Sequence, residues 1–252
     1  MNYRQGYVAF IDILGFSNFV ENNQNALKVN DIFEFVGRFQ YLFNTSSKLN
    51  TQVAFFSDSI ILSTDDDDKS LNMLFWAIYL AEIYLREQTG LFFRGGITKG
   101  YYYHNGSIAF GPAIVSAYRL ENKATYSRIL IDQEVIAELD DLPLAIMQDI
   151  DGNYCFNPYI ITLLNRTNDQ TGPTKEDILK SLEEERESLC RIIDHNIYTT
   201  VAEKYLWRIN PYNKTCDKLL IIFRELGLVY SQDDVNKINE LKITLKDFEH
   251  NI

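Results

Sequence analysis

Two carboxylates stand inside apolar strings near the start of the chain: Asp12 in Phe10-Ile11-Asp12-Ile13-Leu14-Gly15-Phe16, and Asp58 in Phe55-Phe56-Ser57-Asp58-Ser59. A carboxylate in an apolar strand is costly to bury unless something positive meets it. Two of them in matching settings predict a divalent-metal site, which activates a hydroxyl and neutralises phosphate. Strand alternation puts Val8, Phe10 and Asp12 on one face of a first strand, and Ala54, Phe56 and Asp58 on one face of a second. Both acids are therefore expected at one sheet edge. Leu14-Gly15-Phe16 follows the first acid at a strand-to-helix turn, where free backbone N–H groups and a glycine suit phosphate oxygens. Taken singly, each acid reads equally well as a cap or turn residue; together they favour a metal, and an enzyme becomes the leading expectation.

The elements that must position these residues follow from hydrophobic period. Residues 6 to 12 read as a buried strand, and Ile32, Phe35, Val36, Phe39, Leu42 and Phe43 mark one face of a helix over about 26 to 43. Residues 51 to 63 read as a strand pair with a tight turn near Ser57-Asp58. Leu71, Leu74, Phe75, Ile78, Ala81 and Leu85 mark a second amphipathic helix. A strand over 91 to 99 ends at Lys99-Gly100. A tyrosine-rich turn with Asn105-Gly106 then leads to a short strand at 107 to 110 and a helix over about 112 to 122. The order βαββαβ, with an added βα, predicts an α+β fold: a mainly antiparallel sheet with helices packed on one face. Ile129-Leu130-Ile131, a short helix near 133 to 139, and strands flanking Asp151-Gly152-Asn153 extend it. Asn168 to Pro173 reads as a linker and Thr174 as a helix cap, so the expected division is 1–167 for a catalytic domain and 168–252 for a helical extension.

Size and charge narrow the class of function. The chain has 252 residues, 46% of them hydrophobic, which supports a large core without staples. A net charge of −11 argues against a polymeric nucleic acid as partner, because phosphate-backbone affinity comes from clustered Lys and Arg. A small anionic ligand stays compatible if cations neutralise it locally. No apolar run approaches the ~18 residues of a membrane span, so direct membrane insertion is not expected. The N-terminal residues show no cleavable apolar region, and Cys155, Cys190 and Cys216 are scattered and odd in number, which predicts a cytoplasmic setting.

Taken together, Phe10-Ile11-Asp12-Ile13-Leu14-Gly15-Phe16, Asp58 after a strand, Arg94-Gly95-Gly96-Ile97, and Gly111 before a helix bearing Arg119 resemble the class III nucleotidyl cyclases. Phe55 to Ser59, Phe93 to Ile97 and Gly111 to Glu121 look closer still to the pyrimidine (uridylate and cytidylate) cyclases of bacterial anti-phage Pycsar systems. The resemblance covers about residues 6 to 160. It implies a homodimer with two active sites at the interface. In each, Asp12, Asp58 and the carbonyl of Ile13 hold two Mn²⁺ or Mg²⁺ ions, and Arg119 of the other protomer stabilises the transition state. The expected product is a 3′,5′-cyclic nucleotide plus pyrophosphate, read by a separate cyclic-nucleotide-sensing effector. Purine-selective members carry an aspartate and a lysine where this chain has Ile108 and Ala54, so the usual adenine reader is absent. Phe56 is expected to restrict the pocket to a smaller base, which favours UTP or CTP. Arg94 either donates to uracil carbonyls, favouring UTP, or braces the backbone. Val115 replaces the ribose-orienting asparagine, and no residue in the sequence stands out as its substitute.

Competing expectations are an adenylate cyclase with unconventional base recognition and a catalytically silent, nucleotide-binding regulatory dimer. Asp65-Asp66-Asp67-Asp68 reads as a helix cap rather than a calcium loop, and Lys99 as a solvated strand end. His104 shows no metal-ligand spacing, the alternative for Arg119 is an exposed helical arginine paired with Glu121 or solvent, and Glu183 to Glu187 read as the wet side of a helix.

Overall fold

The computed structural model describes residues 2–22, 51–164, 173–198 and 202–251, with residues 30, 34, 36, 37 and 41 in addition. Apart from those five positions, the helix expected over 26 to 43 lies outside the described residues, as does most of the expected linker. The chain divides into two compact units, 1–156 and 157–252.

The first unit is built on one eight-stranded sheet in the order β2-β3-β1-β4-β6-β8-β7, with β5 paired to β4. Strand β1 (Arg4–Leu14) lies between β3 (Ser59–Asp65) and β4 (Phe92–Asn105), antiparallel to both, and β2 (Gln52–Phe56) pairs antiparallel with β3. Between β1 and β2 the described chain starts helix α1 (Phe16–Asn22), and between β3 and β4 lies α2 (Asp68–Thr89). This is the strand order of a ferredoxin-like βαββαβ core, so the α+β architecture expected from the sequence is the one formed. Beyond it come β5 (Ile108–Phe110), α3 (Pro112–Lys123), β6 (Ile129–Ile131), α4 (Gln133–Ala137), β7 (Ile146–Gln148) and β8 (Tyr154–Phe156). Among the described residues, only the β4–β6 pair is parallel.

Central strand β1 is buried on both faces. Val8 and Phe10 pack under Ala113, Ile114 and Ala117 of α3, while Tyr7, Ala9, Ile11 and Ile13 are buried on the opposite face. A strand covered twice reads as one apolar run, so an acid within it stands out. The sequence led us to expect helices on a single face; the burial of both parities of β1 shows that cover extends to both.

Further differences follow from tertiary pairing. The tyrosines at 101 to 103 are not a turn. Strand β4 runs on through them to Asn105 because Arg4 and Gln5 of β1, and then β5, supply pairing partners. Lys99 is accordingly mid-strand, paired with Asp66 and Glu138 and seated over the Tyr7 ring. Asp67 caps α2, accepting hydrogen bonds from Ser70 N at 2.8 Å and Ser70 Oγ at 2.7 Å. His104 bridges Ser63 Oγ (Nδ1, 2.8 Å) and the Gly106 carbonyl (Nε2, 3.1 Å).

In the second unit, α5 (Pro158–Leu164), α6 (Lys175–Asn196), α7 (Ala202–Leu206), α8 (Ile209–Glu225) and α9 (Gln232–Leu241) are followed by a 3₁₀ segment (Leu245–Asn251). Thr174 caps α6 in a reciprocal box with Asp177, and Ser231 caps α9 with Asp234. Ile178, Leu182, Glu185, Leu189 and Ile193 form the buried stripe of α6. Glu185 thus lies on the dry side, where the sequence placed the whole Glu183–Glu187 run in water. None of the described helices is long and apolar enough to cross a membrane.

Candidate active site

The register of β1 sets the site. Asp12 lies opposite Ser59 on β3 and opposite Arg94 on β4, and Ile13 N–H donates to the Asp58 carbonyl at 2.9 Å. Asp12 and Asp58 are thereby neighbours, as the sequence predicted, but not by strand alternation. Strand β2 ends at Phe56, Phe56 pairs with Ser59, and Ser57-Asp58 is the whole loop of a two-residue hairpin. Ser57 sits at φ 55°, the positive φ that a primed hairpin turn demands and that a non-glycine residue adopts at a cost of about 1 kcal/mol. The turn, not the pleat, brings Asp58 beside β1.

Arg94 meets Asp12 across the sheet: Nη2 donates to Oδ2 at 2.9 Å. The same nitrogen is 2.7 Å from Oε1 of Glu121, near the end of α3. Two glycines next to Arg94 allow this. A Cβ on Gly96 would stand 2.6 Å from the Ala117 carbonyl oxygen and from Leu120 Cβ, and one on Gly95 would stand 2.6 Å from the Phe10 carbonyl oxygen. Without a side chain on Gly95 the neighbouring strand β1 closes up, and without one on Gly96 α3 lies directly on the strand and delivers Glu121 over Arg94. Burial pushes the Glu121 carboxyl above its ordinary range, the Arg94 charge opposes this, and the negative charges of Asp12 and Asp58 add to it. All three acids therefore share one electrostatic environment.

Glu121 is the member that sequence reasoning missed. The sequence offers it only within the alternative for Arg119, as a pairing partner beside solvent, yet residues two apart on a helix point about 200° from each other. The signal was present in Ala113, Ala117 and Glu121, which recur every four residues as one buried stripe ending in a carboxylate. Arg119 takes the other side: it is exposed, along with Val115 and Tyr118, and the Tyr118 ring meets Phe10 edge-on at 5.3 Å.

Of the remaining expected site residues, Leu14 ends β1 and is buried, Gly15 turns at φ 82°, and Phe16 begins α1. They directly follow Asp12 and Ile13 in the chain. Phe56, at the hairpin beside Asp58, is 83% exposed, and Ile108 on β5 is 59% exposed. Arg94, expected as a possible base reader, has its Nη2 engaged by two carboxylates.

Two carboxylates and a carbonyl on adjoining backbone could hold a divalent cation, while among the described residues no three His, Cys, Asp or Glu side chains converge as a complete metal site. Three carboxylates against one guanidinium leave two negative charges in a cleft where the Asp12 side chain is 18% exposed and that of Glu121 4%. Oε1 of Glu121 is buried and accepts no hydrogen bond. Such an excess is costly unless cations are drawn in. Asp12 and Asp58, with the carbonyl of Ile13 next to Asp12, are the groups that could hold one.

No protein-family model matches the chain, and no curated protein matches it. Among solved structures it is similar to the adenylyl cyclase CyaB from P. aeruginosa, at 17% identity over 61% of this chain and 94% of that one, with a TM-score of 0.47. It is similar also to the guanylyl cyclase Cya2, at 16% identity over 62% and 93%, with a TM-score of 0.46. The guanylate cyclase domain of RhGC from Catenaria anguillulae, in complex with GTP, gives 13% identity over 62% and 95%, with a TM-score of 0.45. With TM-scores below 0.5 these likenesses add no weight to any assignment of chemistry, which rests on the residues above.

Proposed function

We propose that this chain is a nucleotidyl cyclase, converting a pyrimidine nucleoside triphosphate, UTP in the first place, to its 3′,5′-cyclic monophosphate and pyrophosphate at sites shared by two copies. The observation that carries this is the meeting of Asp12 and Asp58 through the β1–β3 register, with negative charge left over. In the reaction the ribose 3′-oxygen bonds to the α-phosphorus, the bond to pyrophosphate breaks, and the hydroxyl proton is lost. Two divalent cations, Mg²⁺ or Mn²⁺, held by Asp12, Asp58 and the Ile13 carbonyl, would supply acidification of that hydroxyl and neutralisation of the leaving pyrophosphate. The Leu14-Gly15-Phe16 turn offers backbone N–H groups to phosphate oxygens. Arg119 points away from the acids of its own chain, so its role is in the site of a partner copy, on charge that develops at phosphorus. Phe56 and Ile108 border the base, the first by stacking and the second by offering no polar reader for adenine.

Arg94 tied to carboxylates gives uracil no advantage over cytosine from that residue, and CTP is the second reading on this ground. The cyclic product would act on a separate cyclic-nucleotide-sensing effector in anti-phage defence. Incubation of the purified protein with each of the four triphosphates and Mn²⁺, with the product identified by mass spectrometry, tests the proposal. A cyclic pyrimidine nucleotide is expected. Turnover of ATP or GTP at an equal rate removes the pyrimidine claim, and no cyclic product from any of them removes the enzyme.

A further inference from the structure

One nitrogen serves two carboxylates at the centre of the site. Nη2 of Arg94 makes an aligned hydrogen bond to Oδ2 of Asp12 at 2.9 Å, whereas its contact with Oε1 of Glu121, though closer at 2.7 Å, is not aligned for one. Nε of Arg94 is buried and also without a hydrogen bond. A guanidinium is a rigid fork with five N–H donors, and here a small rotation would align it with Glu121 and release Asp12. Glu121 is fixed for that role. Its backbone is locked on the sheet by the close approach at Gly96, and its side chain is more deeply buried than that of Asp12.

We infer that Glu121 is a positioning residue, the alternate seat of Arg94: the guanidinium occupies Asp12 as a resident counter-ion and swings onto Glu121 when Asp12 takes a divalent cation. This rests on Asp12 and Asp58 being the cation ligands. The physical requirement is plain. A cation arriving at Asp12 meets a positive charge already bonded there, and in a half-buried cleft that charge needs another carboxylate to go to. Glu121 thus sets how tightly the site holds metal, without itself being a ligand. Removing Glu121 traps the guanidinium on Asp12 and weakens metal binding; removing the guanidinium takes that positive charge off Asp12 and strengthens it. Plain charge effects would also move metal affinity in opposite directions for the two partners, but additively; a seat that serves only the guanidinium makes the two changes non-additive.

The test is Mn²⁺ binding to the full chain without nucleotide, by electron paramagnetic resonance and calorimetry. Glu121→Gln is expected to weaken binding about tenfold, Arg94→Met to tighten it about tenfold, and the double variant to stay within about threefold of Arg94→Met, because no guanidinium is left for Glu121 to receive; a double variant back at wild-type affinity overturns the inference. Thermal melts with and without Mn²⁺ give a second readout, in which Mn²⁺ raises the Tm of Arg94→Met more than that of wild type. Should Glu121→Gln fail to fold, Arg94→Met alone decides, since unchanged or weaker binding there overturns the inference. Equal affinity of Glu121→Gln and wild type overturns it as well. If wild type binds no Mn²⁺ that is lost in Asp12→Asn or Asp58→Asn, the assignment of the ligands has failed instead, and the two failures are distinguishable.

Discussion

Replacing Gly96 by alanine adds one methyl group at the tightest contact between sheet and α3. That Cβ would lie 2.6 Å from both the Ala117 carbonyl oxygen and Leu120 Cβ, and 2.9 Å from the Glu121 nitrogen. Two of these are helix backbone atoms, so the whole of α3 must retreat, by roughly 1 Å to restore a contact of about 3.5 Å. Overpacking of this kind costs about 2–3 kcal/mol. In a unit of this size each kcal/mol lowers Tm by about 2–4 °C, giving a fall of roughly 5–10 °C in the first unit. The retreat also withdraws Glu121 from its 2.7 Å contact with Arg94, and a misplacement of about 1 Å near the chemistry can cost up to about a hundredfold in rate. Differential scanning calorimetry and Mn²⁺-dependent turnover would be measured together. Gly90→Ala is the control: with no heavy atom within 4 Å but φ at +72°, it should cost about 1 kcal/mol in strain and leave turnover alone. A Gly96→Ala protein melting within 2 °C of wild type, with full activity, would refute the claim that close approach positions α3.

Asp58→Ala should lower product formation by at least about a thousandfold while Tm stays within a few degrees, since the residue sits in a turn; undiminished turnover would remove the metal account. Asp58→Asn and Arg119→Ala should each be inactive alone, yet a mixture should regain about a quarter of wild-type activity, because a mixed dimer rebuilds one intact site of two; an inactive mixture rules out a site shared between chains. Arg128→Met should destabilise by about 3 kcal/mol, because Asp149, fully buried and bonded to Arg128 at 2.5 Å, loses its cation; a change under 1 kcal/mol by denaturant titration contradicts this. Burial holds the His104 imidazole below its ordinary 6.5, so the unfolded chain takes up a proton that the folded one refuses. Stability should therefore decline as pH falls from about 7.5 to about 5.5, more steeply in wild type than in His104→Asn, and parallel declines would show that His104 is not the group responsible.

Local pattern was enough for most of the described strands and helices of the first unit, because burial on a sheet or helix face imposes a period on the chain that carries it. It was enough also to single out Asp12, whose carboxylate interrupts a run buried on both faces, and the Arg94-Gly95-Gly96 string. It failed where a partner far along the chain decides the outcome. Nothing local says that β4 continues through three tyrosines; the start of β1 and strand β5 do that by pairing with them. Alternation put Asp58 near Asp12 for the wrong reason, since the hairpin closes two residues earlier than a continuous strand would. Glu121 drew no role of its own because its counter-ion, Arg94, is 27 positions away and comes close only when Gly96 lets α3 rest on the sheet. What the amino-acid order determined by itself was which residues carry charge into apolar surroundings. Which of those charges meet was decided by strand register and helix packing, because a carboxylate in low dielectric is stabilised only by groups that the folded chain brings within a few ångströms.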